Sequence, residues 1–149
     1  MPVNTDKQGT SYSLPRPYEV SREAVAEFAL ATNATADYHF ETEAATALGY
    51  HDVVAPTTFA VIIAQKSEAA YISDPDSGID FSKVVHGSEQ FSITRPIVAG
   101  DSLAATTHVD GVRAAGSNAM ITTRTEITDA AQQPVVTVTS NIVVRGDGE

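Results

Sequence analysis

Apolar residues crowd most densely between Tyr50 and Ser73, in YHDVVAPTTFAVIIAQKSEAAYIS. From Phe59 to Ala64 nearly every position is apolar, and Gln65, Lys66, Ser67 and Glu68 arrive only after two turns. A helix that is apolar all round where it starts is buried there. Pro56 suits a first helical turn, where its fixed φ is already helical and its missing N–H costs nothing. The pattern therefore predicts a buried central helix from about Pro56 to Ser73. The run is too short, and charged too soon, to span a bilayer.

Other elements follow from the same kind of reading. Val25, Phe28, Ala29 and Thr32 fall at i, i+3, i+4 and i+7, which predicts an amphipathic helix over residues 22–32. Ser21 is placed as its N-cap, Glu23 lies in its first turn, and Asn33 ends it. The stretch ATADYHF is too polar and irregular for a regular element. ETEAATALG reads as a short helix with Gly49 at its C′ position. Tyr12 and Leu14 suggest a short edge strand, and Asp74–Asp80 is a loop by composition. After Lys83 the period changes to two. Val85, Glu89, Phe91 and Ile93 share one face, as do Leu103, Ala105, Thr107 and Val109. Ala119, Ile121, Thr123, Thr125 and Ile127 form a third face, and Val136, Val138, Ile142 and Val144 a fourth. The breaks at Ala99–Asp101, Ala114–Asn118 and Asp129–Pro134 read as hairpin connections. Helices followed by antiparallel strands make an α+β chain, a curved sheet packed on the central helix.

Composition narrows the chemistry. A chain of 149 residues with 42% hydrophobic content is expected to form one globular domain, residues 1–149. It has no cysteine, which removes disulfides, thiolate metal sites and thiol nucleophiles. Nineteen acidic against nine basic residues give a formal charge of −10, which repels nucleic acid and anionic lipid, so neither is expected as a partner. MPVNTDKQGT has no apolar signal core, so a cytoplasmic location is expected. His51, His86 and His108 are scattered singly and make no helical pair, so no metal site is expected. No Gly-rich phosphate loop or nucleophile elbow is present. The basic residues Arg16, Lys83, Arg95 and Arg113 are dispersed along the chain and form no patch in the sequence.

Two stretches are familiar. RPIVAGDSL (Arg95–Leu103) and TNATADYHFETEAATALGYHDVVAPTTF (Thr32–Phe59), in this order of elements, resemble the hot dog fold. Within it they resemble the MaoC-like (R)-specific enoyl hydratases and (3R)-hydroxyacyl dehydratases. PYEVSREAVAEFA (Pro17–Ala29) and ALGYHDVVAPTTF (Ala47–Phe59) are similar in particular to the acyl-binding subunits of the mycobacterial (3R)-hydroxyacyl-ACP dehydratase, which pair with a catalytic subunit. The resemblance implies an acyl-ACP or acyl-CoA thioester as ligand and no cofactor. It also implies a homodimer, or a heterodimer with a catalytic paralogue, in fatty-acid metabolism.

The family's catalytic pattern is Gly-Asp-x-Asn-Pro-x-His. Laid on this chain it puts His39 on the histidine, Ala34 on the aspartate, Ala36 on the asparagine and Asp37 on the proline. Where the family has Ala-His-Gly before the central helix, this chain has Ala55-Pro56-Thr57. Hydration of an enoyl thioester needs a water activated at C3, a proton delivered to C2, and donors for the carbonyl oxygen. The resemblance thus implies catalytic roles for His39 and, as a relocated acid, Asp37. It implies acyl-thioester binding by Ala34, Pro56, Thr57, Thr58, Phe59, Ile62 and Ile63. Three readings stay open from the sequence. One is a subunit that mainly binds the acyl chain, because Ala34 cannot take a proton. Another is a self-sufficient hydratase using His39 and Asp37, and the third is a non-catalytic acyl-thioester-binding protein. A thioesterase is disfavoured, since the only carboxylate on the central helix, Glu68, is three turns in.

Overall fold

The computed structural model describes residues 2–147. In chain order its elements are β1 (Ser11–Ser13), β2 (Tyr18–Glu19), α1 (Arg22–Ala31), α2 (Thr42–Ala47), α3 (Ala60–Ile72), β3 (Val84–Ile93), β4 (Ser102–Ala115), β5 (Asn118–Thr128) and β6 (Pro134–Val144). The strands form one antiparallel sheet in the order β1-β4-β5-β6-β3, with β2 also on the β4 edge. This sheet wraps α3, so the fold is the hot dog fold expected from the sequence.

Each helix end has an identifiable cause. The Ser21 hydroxyl accepts from Ala24 N–H and caps α1, whose buried residues are Val25 and Ala29. Asn33 takes a left-handed φ of 56° just beyond α1, and Ala34 N–H then donates to Ala29 O at 2.8 Å. That closes the helix end by the bonding pattern that a left-handed residue allows. Gly49, at φ 93°, follows α2 in the same way.

The central helix differs from expectation at its start. Phe59 N–H donates to Pro56 O, and Val61 N–H to Thr58 O, so this turn is wound on three-residue spacing. The α-helix itself begins at Ala60, and Pro56 stands one turn upstream of it. Its buried residues are Ala60, Ile63, Ala64, Ser67, Glu68 and Tyr71, a single stripe. Val61 and Ile62 are only half-buried, because the sheet covers one side of the helix and not the whole circumference.

The connection at Ala99–Asp101 is not a hairpin. β3 pairs with β6 and β4 with β5, so the segment 94–101 crosses from one part of the sheet to another. Three strand spacings are about 14 Å, well within the ~26 Å that eight extended residues reach. On its way the segment is tied to the chain leading into α3. Ala55 N–H donates to Ile97 O, Ala99 N–H to Val53 O, and Val54 bridges Val98. The other two breaks are true hairpins.

The inward faces read from the sequence for β4, β5 and β6 are the buried ones. On β3 the pattern breaks. A bulge between His86 and Ser88 shifts the register, and Val85 and Ile93 stay 44% and 46% exposed. Main-core residues Phe59, Ile63, Leu103, Ile127 and Val138 fill the space under α3. A second cluster around Tyr71, Val109, Ile121 and Ile142 fills its far end.

Candidate functional site

The stretch that looked irregular in sequence is what positions His39. After Ala34 the chain runs extended and then makes a 3-10 turn over Asp37–His39, whose His39 N–H donates to Ala36 O. Tyr38 O accepts from Val54 N–H, and His39 Nδ1 lies 2.5 Å from Val54 O. A carbonyl only accepts, so Nδ1 carries the proton and the neutral ring keeps its lone pair on Nε2. His39 is 6% exposed, with the Tyr38 ring 4.4 Å away, centroid to centroid. Its orientation is therefore set by the Val53–Ala55 segment, which the crossover holds in turn.

Beside it lies a cleft of about 520 Å³. Ala34, Tyr38 and His39 form one wall and Pro56, Thr57 and Ala60 another. Ile93, Ile97 and Val136 supply an apolar side from the sheet and crossover. Among the described residues, the N–H groups of Thr57 and Thr58 have no backbone partner. Such free amides before a helix are donors for a developing oxyanion.

Among the described residues no carboxylate lines the cleft. Asp37, on the exposed side of the 3-10 turn, is not part of it, and the Ala34 methyl lines it together with His39. Of the other residues singled out from sequence, Pro56 and Thr57 are on its wall, whereas Thr58 is exposed beside it. Phe59 and Ile63 are fully buried core, and Ile62 packs against that core. Phe59 meets Phe28 edge-on with centroids 5.5 Å apart.

Sequence reasoning left out Tyr50, Ile93, Arg95 and Val136, which also line the cleft. Arg95 was legible as the first residue of RPIVAGDSL. It ion-pairs with Asp101 at 2.8 Å and with Asp129 at 3.5 Å, and Asp101 also accepts from Val98 N–H. Hydrogen bonding to Asp101 raises the Arg95 pKa further, so the guanidinium stays charged. Asp101 is thus both a turn residue and the anchor of this arginine. Among the described residues no group of three or more His, Asp or Glu side chains is placed to hold a metal ion.

A second polar feature lies behind the cleft, between α3 and the sheet. Glu68, 2% exposed, accepts from Thr123 Oγ1 at 2.8 Å. Ser140 Oγ donates to Glu89 Oε2 at 2.7 Å, and Thr107 Oγ1 donates to Ser67 Oγ at 2.8 Å. Burial, and next the nearby Glu89 charge working against the pull of Thr123, pushes the Glu68 carboxyl pKa up. Among the described residues, Glu89 Oε1 and the Tyr71 hydroxyl are buried without a partner.

Known proteins resemble this chain along nearly its whole length. The family model for the FAS1-like dehydratase domain region matches residues 7–138. A UPF0336 protein of Clavibacter michiganensis is 48% identical over 147 residues, covering 99% of both chains. The HadBC (3R-hydroxyacyl-ACP dehydratase) complex of Mycobacterium tuberculosis contains a chain with TM-score 0.85 and 29% identity, over 93% of this chain and 98% of that one. A MaoC-like dehydratase gives TM-score 0.86 at 32% identity, over 94% of this chain but only 42% of the other. On the match across residues 7–138 and the near-full-length relatives, this chain belongs to the FAS1-like dehydratase domain family.

Proposed function

We propose that this chain is the acyl-binding subunit of a (3R)-hydroxyacyl-thioester dehydratase or enoyl hydratase. It holds the acyl thioester in the Ala34–His39 cleft, and a partner of the same fold supplies the acid–base pair. The observation that carries this reading is the cleft's make-up: an oriented imidazole, with Ala34 beside it, free amides before the central helix and, among the described residues, no carboxylate on its walls. In this scheme the thioester oxygen takes hydrogen bonds from the Thr57 and Thr58 amides, which stabilise it as the enolate-like charge develops. Hydration adds the oxygen of water to C3 and a proton to C2, and both steps need a base and an acid at matched distances. His39 is one such group. The complete pair, in this scheme, is the partner's.

Pairing with a second hot dog chain is supported from two sides. The similar chain from Mycobacterium tuberculosis is part of the two-subunit HadBC complex, and the similar MaoC-like dehydratase has room in its chain for a second unit. In this chain β3 ends the sheet as an edge of ten residues, VVHGSEQFSI, without proline or lysine to protect it.

The test is coexpression with a paralogue that keeps both the Asp and the His of the family pattern. The expected result is a stable complex that hydrates an enoyl thioester faster than either chain alone. A chain that purifies only as a stable homodimer, with no gain from the paralogue, refutes the reading.

A further inference from the structure

At the opposite end of the sheet from the cleft is a hollow of about 420 Å³. The cleft takes residues from the end of β3 and the start of β6, namely Ile93 and Val136. The hollow takes Lys83, just before β3, and Arg145, just after β6. Ten strand residues separate these ends, a span of about 30 Å.

The fold gathers cations there that the sequence disperses. Arg145 N–H donates to Lys83 O at 2.9 Å, and Gly146 N–H to Asn118 Oδ1 at 3.0 Å. Arg113 sits on β4 opposite Met120, near the tip of the hairpin whose turn holds Gly116 and Ser117. Three of the nine Lys and Arg residues thus border one concavity on a chain of net charge −10. Among the described residues two acids border it as well. Asp80 is engaged by Ser82 N–H and Oγ in its own turn. Asp147 Oδ1 lies 2.5 Å from Lys83 Nζ.

We infer that this hollow is a binding site for a phosphate ester. Guanidinium forks match phosphate oxygens in pairs, and Lys83 adds a point charge. Ser117 and Asn118 add neutral polar groups at the same rim. The acidic remainder of the surface repels a polyanion, so the ligand is a small ester and not a nucleic acid strand. Asp147 acts as a built-in competitor, holding Lys83 until a more highly charged anion displaces it. The site stands on its own residues and does not depend on what the cleft binds.

The test titrates the full chain with inorganic phosphate, with adenosine bisphosphate (the nucleotide fragment of coenzyme A) and with phosphopantetheine. Binding is read as amide shifts at Lys83, Arg113, Ser117, Asn118 and Arg145. Arg113→Gln and Arg145→Gln should each weaken binding roughly tenfold, and Asp147→Asn should strengthen it. Preference for the nucleotide fragment identifies coenzyme A as the source of the phosphate, and preference for phosphopantetheine identifies a carrier-protein arm. No shift at these residues with any probe at millimolar concentration overturns the site. So does affinity unchanged in both arginine variants, once circular dichroism shows them folded. An inactive cleft leaves this readout intact, so the two proposals fail separately.

Discussion

Glu68 belongs to the polar stretch that follows the apolar run of the central helix, yet the β5 strand buries it against Thr123. Its carboxyl pKa is raised in the fold, so the neutral form is the one the site favours. The stability linked to neutral Glu68 is fully present below the ordinary carboxylate range and is lost as pH rises through the raised value. Glu68→Gln, which removes the ionisation and keeps the shape, should melt a few degrees higher than the wild type at pH 8. The difference should close toward pH 4. Thermal melts of both proteins across that range check it, and a constant difference would contradict the burial argument. Asp74 has the opposite sign. The Tyr12 hydroxyl, Lys7 and the Asp76 N–H hold its pKa down to about 2. The stability linked to its ionised form is therefore present above the ordinary range and is lost as pH falls toward that value. Asp74→Asn should flatten the acid limb of the wild-type stability profile, as read by denaturant melts between pH 2 and 6.

At the scale of elements, β3 carries the consequence. Val85 and Ile93 are exposed on a strand whose outer edge has no partner among the described residues. Glu89 on the same strand keeps one buried oxygen without a donor. An edge strand of this length is a template for another strand. Val85→Lys together with Ile93→Lys should reduce association, because lysine on an edge strand opposes pairing. Their own fold should hold, since neither side chain is in the core. Sedimentation of the double variant against wild type, with circular dichroism as the control, measures this. Association unchanged in a folded variant would move the interface away from β3. The α1 cap matters for a different reason, since the helix it starts ends at the loop that presents Ala34. Ser21→Ala should lower stability by about 1 kcal/mol, the usual worth of such a cap.

For the molecule as a whole, the expected mass in solution is about twice 15.7 kDa or more, and a clean monomer at low micromolar concentration would refute pairing. Much of the architecture was legible along the chain because period-two and 3.6-residue patterns survive wherever one face is buried. That held for α1 and for the inward faces of β4, β5 and β6. It failed where alternation says nothing about neighbours. A short link between two strands suits a hairpin or a crossover equally, so the place of β3 at the edge was invisible. It failed too at β2, which is two residues long, and at Glu68, whose burial depends on hydroxyls some 55 positions away. Within the cleft, Ala34 and His39 were readable from the family pattern laid on the chain. Ile93 and Val136 were not, because only the folded sheet brings its far strands to that wall.

Among its described walls the cleft lacks a carboxylate and little else, and one substitution supplies it. Ala34→Asp puts an acid beside His39 in the position the family pattern assigns to it. General acid–base help is typically worth about 10² to 10⁴ in rate. The measurement is hydration of an enoyl-CoA by the purified chain and by Ala34→Asp, with binding of the same thioester followed in parallel. The expected result is a wild type near background and a variant faster by about 10² or more at similar affinity. It is contradicted by a wild type that turns over at full rate alone and loses that rate in Asp37→Asn. A folded Ala34→Asp variant that binds the thioester and gains nothing contradicts it as well.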